Sequence, residues 1–146
     1  MWIASIQKES ALSTGMSSPR TTLAPHDPPL DPARFGLPYA TAVRAGDFIF
    51  VSGLIAIDPA TGERAHGTTV SETRLILSNL SQFLEGAGSS LGKVVKTTVW
   101  LASMLEMENL NGAYKPFFAE APPARTVCGA RLNYGMKVQI DCIVQA

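Results

Sequence analysis

Between residues 48 and 145 the sequence has room for only two helices, set among several short β-type runs, and this imbalance restricts the architecture most. The first helix is expected from Thr69. Thr69 and Glu72 have the spacing of a capping box. Leu77, Leu80, Leu84 and Ala87, joined by Leu75, Ile76 and Phe83, form an apolar stripe at helical spacing, and Gly86 and Gly88 end it. The second helix is expected over 106–118, with Met107, Leu110, Tyr114 and Phe117 on one face.

The β-type runs are aromatic and β-branched. They are Phe48 to Ser52, Val94 to Leu101, a run around Arg125 to Leu132, and Lys137 to Gln145. Asp58-Pro59-Ala60-Thr61-Gly62 reads as a turn, with 54–57 and 63–65 flanking it as a hairpin. Asn133-Tyr134-Gly135 is a second turn. The order is β-β-α-β-α-β-β. Two helices cannot cover both faces of such a sheet, so the expectation is a two-layer α+β domain with a mixed sheet and both helices on one face.

The last run shows what each face does. Val138, Ile140, Cys142 and Val144 alternate onto one side, beneath the helices. Gln139, Asp141, Ile143 and Gln145 take the other. That side mixes a carboxylate with an apolar residue, which suits a subunit interface lined with functional clefts.

Residues 1–36 differ from the remainder. Six of the ten prolines lie at or before Pro38, and an irregular, proline-rich arm is expected there, with the compact domain over 37–146. A length of 146 residues fits one domain. Lys plus Arg number 12 against 12 Asp plus Glu, so the net charge is zero. Balance of this kind argues against nucleic acid as a partner and permits self-association. No run reaches the ~20 apolar residues of a membrane helix. No signal peptide is recognised at the N-terminus, and a cytoplasmic location is expected. Cys128 and Cys142 form no CxxC pair or Cys/His cluster, so no metal site is expected and both read as reduced thiols.

Two residues could carry chemistry. The Arg125 guanidinium has the fork that matches a carboxylate, although an Arg beside prolines can equally be surface decoration. Asp141 lies inside an apolar strand, where a charge needs a partner or a task. It could be a salt bridge to Arg125 or Arg131. If Arg125 and Asp141 shared a face of two paired strands, the Arg would anchor a substrate carboxylate. The Asp would then hold a water and move its proton to hydrolyse a protonated imine.

Several segments resemble one family in order. Pro38-Tyr39-Ala40-Thr41-Ala42-Val43 resembles its GPYSQAV segment, and Phe50-Val51-Ser52-Gly53-Leu54 its xISGQ segment. Residues 94–99 resemble its VVKTTV strand, and 111–118 its NxxYxxFF helix. Pro123-Ala124-Arg125 is similar to its PAR signature. Residues 135–142 sit where it has Gx(x)VEIEAV. On these motifs the chain resembles the RidA/YjgF family. The resemblance implies a chorismate-mutase-like α+β fold and a homotrimer with clefts between subunits. It implies cofactor-free hydrolysis of enamines and imines such as 2-aminoacrylate to 2-oxo acids and ammonia, as in 2-iminobutanoate/2-iminopropanoate deaminase. Arg125 would then grip the carboxylate of a small-molecule substrate and Asp141 handle the water. Tyr39, Ser52 and Asn111, with the Gly53 and Val127 backbone, would line the cleft. The chain departs from the pattern with Asp141 for a glutamate, with Ala42 and Leu54 near the family's glutamines, and with Cys128 three residues after Arg125 instead of two. These departures fit two alternatives: a pathway-specific deaminase for a larger unsaturated substrate, or a non-catalytic trimer that binds small carboxylates.

Overall fold

A computed structural model describes residues 4–6, 19–25 and 31–146. Its elements are β1 (Ala4–Ile6), β2 (Thr21–Pro25), β3 (Ala42–Ala45), β4 (Phe48–Leu54), α1 (Thr69–Gly86), β5 (Val94–Leu101), α2 (Met107–Tyr114), β6 (Ala124–Gly129) and β7 (Val138–Gln145). The strands make one seven-stranded sheet in the order β1-β2-β3-β4-β7-β5-β6. Only β5 and β6 pair in parallel, because α2 lies between them in sequence and makes the crossover. The sheet is therefore mixed, and the fold is the expected two-layer α+β arrangement.

Alternation fixes the faces. Val138, Ile140, Cys142 and Val144 of β7 are buried beneath the helices, together with Ile49 and Val51 of β4 and Thr97, Val99 and Leu101 of β5. They meet Ile76, Leu77, Leu80, Phe83 and Leu84 of α1 and Leu110 and Tyr114 of α2 in one core. The opposite face has no covering element among the described residues. Phe50 remains 46 % exposed there, and Phe48 and Val95 are also exposed.

Several expectations need correcting. The arm is not wholly irregular. Thr21-Thr22-Leu23 is β-branched enough to pair with Ala42–Arg44 of β3, and Leu23 is fully buried in the core. Ala4–Ile6 pairs in turn with β2. Residues 1–3, 7–18 and 26–30 of the expected arm lie outside the described residues. The hairpin around Asp58–Gly62 does form, though briefly: Ile57 bridges Arg64, the Asp58 amide donates to the Glu63 carbonyl at 2.8 Å and the Ala65 amide to the Ala56 carbonyl at 2.9 Å, while Asn79 of α1 donates to the Ile57 carbonyl at 2.8 Å. The second helix is shorter than 106–118. Pro116 has no amide to donate, and the chain tightens into a separate turn at Lys115–Phe117. β6 stops at Gly129, short of Leu132.

The capping box is also different. Thr68 is the N-cap: its Oγ1 accepts from the Ser71 amide at 3.0 Å, and the Ser71 hydroxyl oxygen accepts from the Thr68 amide at 2.9 Å. Glu72 is thus released from capping. It is 1 % exposed, and its carboxylate accepts the amides of Gly67, Lys137 and Val138 at 3.2, 2.7 and 3.1 Å. A buried carboxylate is tolerated when its oxygens are satisfied this fully. Here it fastens the start of the central strand β7 to the first turn of α1.

The same end carries a second tie. Tyr134 adopts a left-handed backbone at φ 62°, a cost for a residue with a Cβ. The Arg64 guanidinium stacks 3.4 Å from its ring centre, and His66 Nε2 lies 2.7 Å from its carbonyl oxygen.

Candidate functional site

The expected site residues fall into two groups. The first lies where β6 meets α2. Arg125 is opposite Thr97 of β5, so its side chain emerges on the helix-covered side. Its Nη2 donates to Asn111 Oδ1 of α2 at 2.8 Å, and the guanidinium carbon stands 4.9 Å from the Tyr114 ring centre. Tyr114 is fixed in turn. Its hydroxyl shares a 2.8 Å hydrogen bond with Thr97 Oγ1, and its ring packs on Phe118 with centroids 4.7 Å apart. Burial pushes the Tyr114 phenol above its ordinary pKa, against the opposing effects of the Thr97 hydrogen bond and the Arg125 charge. The phenol therefore stays neutral, and it offers the guanidinium a ring face and no counter-charge. Val127 follows on the same side, half-buried against the core. β6 ends the sheet, so one backbone edge of Arg125–Val127 has no strand beside it among the described residues.

The second group lies on the open face. Val51 pairs with Cys142 and Leu54 with Ile140, so Ser52 and Gly53 together oppose the single residue Asp141. This is a β-bulge, a device that re-aims side chains. The Ser52 hydroxyl donates to the Ala40 carbonyl at 2.7 Å, which brings the exposed Tyr39 beside the bulge. Gly53 lies close against Gln139: a Cβ would fall 2.8 Å from Gln139 Cδ, so the amide end of that side chain would have to swing aside. Asp141 does not pair with Arg125 or Arg131. Its Oδ2 accepts from Trp100 Nε1 at 2.9 Å.

The two groups do not form one cleft within a chain. β6 and β7 are not neighbours, because β5 lies between them. Arg125 and Asp141 also lie on opposite faces, since Thr97 pairs with Arg125 whereas its successor Thr98 pairs with Asp141. Ser52 and Arg125 sit on strands three places apart, roughly 14 Å by ordinary strand spacing. A single small carboxylate cannot touch both.

Three residues that shape these groups escaped the sequence reading, and so did the part Glu72 plays in the fold. Tyr114 read as core, and its second role beneath a guanidinium has no local signature. Trp100 lies in a strand where its indole could face either side. Gln139 occupies the first acidic place of the VEIEAV segment, and that mismatch was the available signal. Glu72 was assigned to a cap. Among the described residues no cluster of His, Cys, Asp and Glu could hold a metal ion, and no helix is long and apolar enough to cross a membrane.

Comparison with known proteins bears on the family and the fold. Residues 32–146 match the family model described as Endoribonuclease L-PSP. A RutC family protein of Pyrococcus horikoshii is 40 % identical over 107 residues, covering 73 % of this chain and 85 % of its own length. A 2-iminobutanoate/2-iminopropanoate deaminase of Mus musculus is 39 % identical over 113 residues, covering 77 % and 83 %. The crystal structure of RidA from an Antarctic Psychrobacter superposes with a TM-score of 0.70 at 30 % identity, covering 75 % of this chain and 89 % of that one. Family model, relatives and fold converge, and the chain belongs to the YjgF/RidA family.

Proposed function

We propose that this chain is a cofactor-free deaminase that hydrolyses small enamines and imines of the 2-aminoacrylate type to 2-oxo acids and ammonia in the cytoplasm. The observation that carries this reading is Arg125. It is a half-buried guanidinium on an edge strand, held by Asn111 over the Tyr114 ring, and it has no carboxylate partner among the described residues. Its fork is pre-oriented for a substrate carboxylate.

The second half of the cleft comes from another copy of the chain. A closed homotrimer that sets β6 of one subunit against the Ser52–Gly53 bulge of the next brings the two groups together. The exposed Phe48, Phe50 and Val95 supply apolar area for that contact. In this arrangement Arg125 anchors the carboxylate, with Asn111 orienting the guanidinium. Tyr39, Ser52 and the Gly53 and Val127 backbone close around the substrate. A water held at Asp141 attacks the carbon of the protonated imine, and Asp141 takes the proton released. That proton passes to the nitrogen of the carbinolamine; as the C–N bond breaks, the hydroxyl gives its proton back to Asp141, ammonia leaves with a ketone remaining, and the proton on Asp141 is then lost to ammonia or solvent. No outside oxidant or reductant is required.

The relatives named 2-iminobutanoate/2-iminopropanoate deaminase support this reading. The family description mentions an endoribonuclease, but a chain with 12 basic and 12 acidic residues offers little to a phosphate backbone. One observation favours a second reading, a pathway-specific enzyme or a non-catalytic binder of small carboxylates. The side chain against Gly53 is Gln139, an amide that cannot relay a proton, and one oxygen of Asp141 is engaged by Trp100.

The test couples an amino-acid dehydratase to the protein and follows 2-oxo acid formation against the spontaneous rate. Acceleration that disappears in Arg125→Ala, with the fold intact, is the expected result. Arg125→Lys should not restore it. Asp141→Asn should retain ligand binding and slow turnover. A rate at the spontaneous level in the parent protein, with carboxylate binding retained, supports the second reading.

A further inference from the structure

Thr97 is 0 % exposed and lies in β5 among side chains that are otherwise apolar on the covered side. Val99 and Leu101 follow on its own strand, and Ile140 and Cys142 stand across from it on β7. A valine has the same shape and would fill this place without a polar atom. A hydroxyl here costs desolvation unless it is matched, so packing alone does not account for it. Its match is the hydroxyl of Tyr114, 2.8 Å away on a residue that is itself buried.

Register sets this pair beside the substrate anchor. Thr97 is directly opposite Arg125 across the parallel β5–β6 pairing. α2 gives the guanidinium two supports, Asn111 and Tyr114, three residues apart on one helical face. Asn111 Oδ1 accepts from Nη2 at 2.8 Å, and the Tyr114 ring centre lies 4.9 Å from the guanidinium carbon. One hydrogen bond at one nitrogen does not fix the plane of the group. The ring face supplies that constraint, and a fork that must meet a carboxylate with two parallel bonds depends on it. The ring is held at two places in its turn. Phe118 packs on it with centroids 4.7 Å apart, and Thr97 holds its hydroxyl end.

We propose that Thr97 is a positioning residue for carboxylate capture, acting through the Tyr114 ring to orient the Arg125 guanidinium. The inference rests on Arg125 being the carboxylate anchor, and it reaches a side chain that no substrate touches. Its effect is one of geometry and not of charge. Burial keeps the Tyr114 phenol neutral, and burial also pushes the Cys142 thiol, opposite Thr97 on β7, above its ordinary range.

The test titrates the full chain with pyruvate, a 2-oxo acid, by calorimetry, and measures kcat and KM in the dehydratase-coupled assay. Thr97→Val keeps the shape but leaves the Tyr114 hydroxyl buried and unpaired. It should weaken pyruvate binding about tenfold, with the loss of turnover falling mainly on KM. Thr97→Ser keeps the hydroxyl and should stay close to the parent. Tyr114→Phe removes the other half of the same bond and should weaken pyruvate by a similar factor. The double variant Thr97→Val/Tyr114→Phe should be no weaker than the weaker single variant, because both changes break one bond. A purely structural role would lower the denaturation midpoint and leave the affinity of the folded protein in place. Unchanged affinity in Thr97→Val, or single-variant factors that multiply in the double, would overturn the proposal. Should Thr97→Val fail to fold, unchanged affinity in Tyr114→Phe overturns it equally. Pyruvate binding that is absent from the parent, or indifferent to Arg125→Ala, overturns the anchor and this role together. The expected pattern of binding in a protein without deaminase activity supports the role and overturns only the deaminase reading.

Discussion

The two faces of the sheet are built on different terms, although they share every strand. The helix-covered face is largely complete among the described residues: its β7 residues are buried, and Thr97 is matched with Tyr114, although Arg44 keeps a buried Nε without a hydrogen-bond partner. The open face has aromatic side chains still in solvent, a bulge, and cross-strand polar pairs such as Trp100 with Asp141 and Lys96 with Thr126. The first face makes the domain stable. The second carries features that stability alone does not call for. Arg125 belongs to the first face by direction and to the second by exposure, because it lies on the edge strand where the helical layer ends.

The sharpest way to break this contrast is to shave the same strand on its two sides. Ile140→Ala, beneath the helices, should cost about 2–5 kcal/mol in chemical denaturation. Ile143→Ala, three residues on and facing the other way, should cost less than about 1 kcal/mol at dilutions where the chain is a monomer. Its cost should grow with protein concentration if that face is an interface. Equal costs at low concentration would mean that the open face is not open.

The next largest effect is expected at Glu72. Glu72→Gln replaces a charged acceptor of three amides with one neutral oxygen and a misplaced donor. A loss of about 1–3 kcal/mol follows, with faster hydrogen exchange at Gly67, Lys137 and Val138. Unchanged exchange would show that the carboxylate does not hold the start of β7.

On the open face, Trp100→Phe removes the indole donor to Asp141 while keeping an aromatic ring. Because Asp141 is half-buried and reachable by water, stability should fall by less than about 1 kcal/mol. The smallest expected effect is none at all. Burial, and secondarily the neighbouring Asp141 charge, push the Cys142 thiol up to about 12, so iodoacetamide at pH 8 should leave Cys142 unmodified until the protein unfolds. Modification of the native protein at Cys142, read by mass spectrometry, would show that the covered face opens.

What could be read from the sequence followed from this same division. The helix-covered face announces itself by periodicity, and so β5, β7 and the start of α1 were legible to within a residue or two. β2 was not, because the five residues between Pro19 and Pro25 offer too little pattern, and its pairing is decided by the edge of β3. The site was legible as a set of residues but not as a place. Nothing local says that β5 separates β6 from β7, and only that order puts Arg125 and Asp141 on opposite sides. The capping residues were misassigned by one position because Thr69 with Glu72 fits the sequence rule, whereas the box that forms uses Ser71 in the place of the acid. Glu72 is instead held by the Gly67 amide nearby and by two distant amides, those of Lys137 and Val138.

The position of β7 has a consequence for synthesis. It is made after every other strand, yet it lies between β4 and β5. Until it leaves the ribosome, the nascent chain holds two separate ribbons, β1 to β4 on one side and β5 with β6 on the other, each with an unpaired inner edge. The last eight-residue strand joins them and buries Val138, Ile140, Cys142 and Val144 in one step. The inner edges of β4 and β5 therefore stay unpaired until β7 arrives, and only then do the described strands become a single sheet.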